Sequence, residues 1–210
     1  MSRSARRAAL LFACALSAAA LTVFALGDRR GATQTTATPT ATVARVPVAP
    51  AGPQPPLPEG WRRVRDDDGG FSVGLPPGWS VRRSDGALVL RSRDRTLAIA
   101  LGADRSPPGR VVAPTTYARE AIDSLQGYRR LRATPPRRLD ASPYPGAVAT
   151  ATGTFRQTGV RQAITLVALQ RRGAATFTVL AFRSAHAPGG EQKRELVDRV
   201  VDSLHSERPA

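Results

Sequence analysis

Thiol, imidazole and amine groups are almost missing from this chain of 210 residues, which has one cysteine (Cys14), two histidines (His186 and His205) and a single lysine (Lys193). One thiol forms no internal disulfide, and Cys14 lies in an apolar N-terminal stretch, so the rest of the chain has no thiolate nucleophile. A zinc site of Cys and His needs three or four such ligands, and none is expected here. His186 precedes "APGG" in a loop, and His205 falls near the end of a C-terminal helix, where a cation suits the helix dipole. Both are read as structural or solvent-exposed. The sequence "DDDGG" at 66–70 has contiguous acids, whereas calcium loops alternate them, and it reads as a hairpin turn. Gly-x-Ser-x-Gly, Walker and dinucleotide fingerprints are all missing. The expectation is a protein that is not an enzyme and has no cofactor and no metal.

Arginine is abundant. The chain carries 31 Lys+Arg against 16 Asp+Glu, a formal charge of +15. From residue 59 onward there are 25 basic and 15 acidic residues, a net of +10. Arg129, Arg130 and Arg132, with Arg137 and Arg138, form the candidate interaction surface. Two explanations stay open: an Arg-, Ala-, Gly- and Pro-rich composition of the kind a GC-rich genome produces, or a basic face that steers anionic partners.

The chain falls into four parts. Residues 1–7 carry Arg3, Arg6 and Arg7 and are expected in the cytoplasm. Residues 8–26 are an uncharged, Ala-rich stretch, long enough to span a bilayer, or else the apolar region of a cleaved signal ending in Ala25-Leu26-Gly27. Residues 27–56 are a Thr/Pro/Ala-rich linker, expected to be disordered and partly polyproline-like. Residues 57–206 are the folded domain. Either reading of 8–26 places that domain outside the cytoplasm, at the cell membrane or secreted. The available anions there are lipid headgroups, wall polymers and acidic proteins; nucleic acid is not an expected partner, and the domain is expected to be monomeric.

Within the domain, "LPEGWRRVR" at 57–65 is echoed by "LPPGWSVRR" at 75–83. Alternation predicts strands at 71–75, 87–92 and 96–103, the last with Leu97, Ile99 and Leu101 on one face. A helix is predicted over 115–126, capped by Thr115 or Thr116 and ended by Gly127, with Tyr117, Ala121, Ile122 and Leu125 as its apolar stripe. A strand at 128–133 and a Pro-rich loop follow. Three long strands come next, at 147–156, 160–171 and 174–184. The last two are apolar on both sides, Phe177 and Val179 against Leu180 and Phe182, which marks them as central. An amphipathic helix over 189–207 closes the chain. The fold class is α+β, a mostly antiparallel sheet packed with helices.

The stretches "GFSVGLPPGW", "YAREAIDSL" and "GYRRLR", the three long strands and the final helix together resemble the PsbP-like superfamily. That group includes bacterial envelope domains of the DcrB and LpqN type. "GWRRVRDDDGGFSVGLPPGW" at 60–79 is similar to the opening of extracytoplasmic domains in actinobacterial receptor-type serine/threonine kinases. Only seven residues precede the apolar stretch here, so no kinase activity is expected. The resemblance implies a PsbP-like sandwich and a non-catalytic role, as a tethered interaction or sensor module or as an assembly accessory of an envelope complex. Its partner would be an envelope protein or an anionic envelope surface. Trp61 and Trp79 each follow a chain-breaking turn, and each reads either as a core anchor or as a rim aromatic that offers a ligand platform.

Overall fold

The computed structural model describes residues 53–84, 86–104, 112–139, 144–171 and 175–207. The segments 1–7 and 8–26, and the linker through residue 52, lie outside the described residues. The end of the linker does not: Arg63 donates to the Pro55 carbonyl, and Gln54 donates to Glu207 at 3.2 Å.

The elements are β1 Arg62–Asp66, β2 Phe71–Leu75, β3 Ser80–Ser84, β4 Ala87–Arg91, β5 Leu97–Asp104, α1 Pro114–Asp123, β6 Tyr128–Ala133, β7 Arg137–Leu139, β8 Gly146–Phe155, β9 Arg161–Arg171, β10 Ala175–Ser184, α2 Gly190–Asp202 and β11 His205–Ser206. A large antiparallel sheet runs β3-β4-β5-β10-β9-β8-β6, with β7 also pairing on β8. A small sheet runs β1-β2-β11. This is the α+β sandwich the sequence predicts.

Apolar residues on both faces of β9 and β10 put cores on both sides. On one side Ile164, Leu166, Leu180 and Phe182 pack with Tyr117, Ala121 and Ile122 of α1. Alanines at 147, 149, 151 and 168 let that helix lie close to β8 and β9. On the other side Val167, Leu169, Phe177 and Val179 meet Val197 and Val200 of α2 and the β2 side chains Phe71, Val73 and Leu75.

The boundaries differ from expectation where local chemistry decides them. Helix α1 starts at Pro114 behind Ala113 and has no side-chain cap. Proline at the first helical position lacks an N–H that would be unpaired anyway, so no threonine is needed. The helix ends at Asp123, where the Ser124 hydroxyl donates to the Ala121 carbonyl at 2.8 Å. Gly127 instead opens the way into β6, with φ +82°. The Pro-rich loop contains β7. Helix α2 stops at Asp202, and the chain then adds β11 beside β2, so His205 belongs to a strand rather than a helix end.

The echoed sequences are two copies of one turn. The Trp61 N–H donates to the Pro58 carbonyl at 3.1 Å across Gly60 (φ +76°). The Trp79 N–H donates to the Pro76 carbonyl at 3.3 Å across Gly78 (φ +73°). Positive φ at the third position is what a type II turn requires. Because Arg62 pairs with Leu75, the two turns lie side by side. Each tryptophan is half-buried against the α2-side core, an apolar rim rather than a fully enclosed anchor.

Candidate functional site

One sheet face changes character along its strands. On β8, Val148 is followed at alternate positions by Thr150, Thr152 and Thr154; on β9, Val167 gives way to Thr165, Ala163 and Arg161. These residues are cross-strand partners: Val148 with Val167, Thr150 with Thr165, Thr152 with Ala163 and Thr154 with Arg161. Partners directly opposite share a face. Val148 and Val167 are buried in the α2-side core, while the rows beyond them are half-buried or exposed. On the reverse face of the same strands, Ala149, Ala151, Phe155 and Ile164 remain buried in the α1-side core. The outcome is a sheet with one side packed and one side open at this end.

Strand β6 brings arginines to the open side. Arg129 stands opposite Thr154 and Arg132 opposite Thr152. Simple alternation would send residues three apart to opposite faces. A bulge prevents it: Arg130 and Leu131 together oppose Gly153, and Arg130 takes φ +53°. The left-handed region costs a non-glycine residue roughly 1–2 kcal/mol, a strain the surrounding ladder sustains. Leu131 turns back to the α1-side core. Gly153 is bare because a Cβ there would come within 3.1 Å of both Tyr128 and Leu131. The product is a concavity of about 400 Å³ lined, among the described residues, by Arg130, Arg132, Thr152, Gly153, Thr154 and Arg161: three cations and no acid.

A second concavity, of about 220 Å³, lies further along the same face. Ala163 and Thr165 floor it, Arg183 of β10 borders it, and Gly190, Lys193 and Arg194 close it from the start of α2. The Arg183 guanidinium packs against Gly190, where a Cβ would stand 3.0 Å from Nη1. The acid in this lining, Glu191, is paired with Arg194 at 3.3 Å. Lys193 donates to Asp94 at 2.9 Å and to the Pro188 carbonyl at 3.1 Å, which straps α2 to the β4–β5 turn. The Asp94 carboxyl is held far below the usual carboxylate range, foremost by the Ser92 hydroxyl, with Thr96 and Lys193 adding to the effect against partial burial.

Of the arginines singled out from sequence, Arg129, Arg130 and Arg132 are therefore gathered beside the open face. Arg137 and Arg138 are separated. Arg137 stands opposite Val148, on the α2 side near Asp198, whose carboxyl is raised by burial and by Asp202 although Arg194 and Arg137 oppose the rise. Arg138 stands opposite Ala147, on the α1 side. Trp61 and Trp79 line neither concavity. Sequence reasoning missed Arg161, Arg183 and the threonines, although "TATGT" at 150–154 carried the signal of a strand with one polar face.

His205 is 7 % exposed and paired across the small sheet with Ser72, and its Nε2 has no partner among the described residues. Burial lowers its pKa, and Arg63 adds to the lowering while Glu207 opposes it.

No protein-family model and no curated protein sequence matches the chain. Solved structures do. The Ran-binding protein Mog1p of Saccharomyces cerevisiae aligns at a TM-score of 0.51 and 10 % identity, over 71 % of this chain and 96 % of Mog1p. The two share a fold. LpqN, described as involved in cell envelope biogenesis of Mycobacterium tuberculosis, aligns at a TM-score of 0.47 and 10 % identity, over 70 % of this chain and 85 % of LpqN.

Proposed function

We propose that this chain is a non-catalytic binding module of the cell envelope and that its working surface is the open, basic end of the large sheet. One observation carries the reading: Arg130, Arg132 and Arg161 converge on a threonine-floored concavity with no acid among the described residues of its lining. Guanidinium groups match phosphate and carboxylate oxygens in pairs, and hydroxyls on the floor supply further hydrogen bonds. A pocket of this make-up is suited to holding an anion. The placement outside the cytoplasm comes from the apolar stretch 8–26 behind Arg3, Arg6 and Arg7. Mog1p, named for binding a protein, shows that a binding role is compatible with this fold.

The test is retention of residues 53–210, which hold both cores and lack the apolar stretch 8–26, on isolated envelope fractions at rising salt. Charge reversal at Arg130, Arg132 and Arg161 is expected to abolish retention at low salt, while reversal of Arg82, Arg93 and Arg95 leaves most of it. Equal losses from the two triple variants would reduce the basic excess to a property of composition.

A further inference from the structure

Four residues on the open face form a single row across the sheet. Arg132 pairs with Thr152, Thr152 with Ala163, and Ala163 with Arg183. The row crosses β6, β8, β9 and β10, so the backbones of its two arginines are three strand spacings, about 14 Å, apart. Small side chains fill the middle and long cationic ones stand at both ends, which makes a trough. The two concavities are the two ends of this trough, because they meet at the Thr152–Ala163 pair. Arg130 and Arg161 add to the first end, and Arg194 with the start of α2 adds to the second.

From this row we propose that the ligand is a linear, phosphate-bearing polyanion that lies in the trough and engages both ends at once. The inference rests on the reading of the basic face as a binding surface and goes further by naming what it binds. A flat bilayer reaches the exposed Arg129, Arg130 and Arg132 but not the floor, because the start of α2 stands over Ala163 and Thr165 on one side and the bulged β6 flanks Thr152 on the other. A flexible chain reaches both. Two linked contacts then raise affinity well beyond either alone. Phosphate suits the ends better than an isolated carboxylate does, since its several oxygens accept from more than one guanidinium together with a threonine hydroxyl.

The experiment titrates residues 53–210, which hold both cores and lack the apolar stretch 8–26, with inorganic polyphosphate, with orthophosphate and with phosphatidylglycerol vesicles. Polyphosphate is expected to bind at least about 100-fold more tightly than orthophosphate, the gain that linkage of two sites provides. Arg132→Glu and Arg183→Glu should each weaken polyphosphate binding by about tenfold or more. Ala163→Leu fills the floor without changing charge; it should weaken polyphosphate and leave vesicle binding as it was. Melting curves of each variant show whether it is folded, and Arg183→Gln replaces the reversal if that variant melts early. If vesicles bind and both Arg183→Glu and Ala163→Leu leave polyphosphate unaffected, the trough is overturned while the basic surface stands. If neither polyphosphate nor vesicles bind at low salt, both readings fall.

Discussion

The two halves of the α2-side sheet face are built on the same strands and differ most plainly at their β-branched positions. In the covered half, β8 to β10 present Val148, Val167 and Val179, and Phe177 meets the edges of Phe71 at 6.0 Å and Tyr144 at 5.8 Å. In the open half the corresponding positions are Thr150, Thr152, Thr154 and Thr165. Valine and threonine have nearly the same shape and the same preference for strands. Exchanging one for the other keeps the ladder intact and removes the need for a cover. The openness of this half is therefore written into the strands themselves, and α2 reaches it only with its first turn, over Ala163 and Thr165.

The comparison is most easily broken in the covered half. Phe177→Ala removes a fully buried ring and its two edge contacts, and should cost about 3–5 kcal/mol in denaturant unfolding while leaving anion binding unchanged in whatever fraction stays folded. Trp61→Ala and Trp79→Ala test the rim of that half. Both rings are half-buried behind equivalent turns, so each should cost about 2 kcal/mol, less than a full core deletion, and the two costs should match. A negligible loss at Trp79 would return it to the role of ligand platform.

A smaller effect comes from acid. The lowered pKa of His205 means that the unfolded chain takes up a proton more readily than the folded one. Its contribution to stability is then complete above the ordinary value of 6.5 and is lost as the pH falls below it. Melting temperatures should decline through that window, and His205→Leu should flatten the decline. The smallest effect belongs to the open half: Thr152→Val should shift stability by no more than about 0.5 kcal/mol, as surface changes do, because the site is already compatible with that shape. A large gain on this substitution would mean that the threonine face is a frustrated piece of core.

Much of this architecture was legible in the sequence. The strand pairs, the two-faced centre of the sheet and both helices follow from apolar spacing, and Gly78 behind two prolines predicts its own turn. What escaped depends on partners distant in sequence. Residues 137–139 are a strand only because β8 is there to pair with them, and His205 leaves the helix because β2 offers it an edge. The site divides the same way. The arginine cluster on β6 was visible as a run, but alternation alone would have split it, and the bulge that unites Arg129 with Arg132 has no local signature. Arg161 and Arg183 join the trough through strand register, which a reading of neighbours along the chain does not supply.

The solitary lysine gives the molecule a built-in reporter. Lys193 carries the sole side-chain amine of the protein, is held by Asp94 and borders the second concavity. An acylating reagent at neutral pH therefore has one internal target, and the rate of that reaction reads two events on one atom. Release of α2 from the β4–β5 turn frees the amine and speeds labelling, whereas an occupant at that end of the sheet face shields it and slows labelling. The mass increment on the peptide that contains Lys193, followed with time, would separate loosening of the helix from occupancy of the face without any engineered probe.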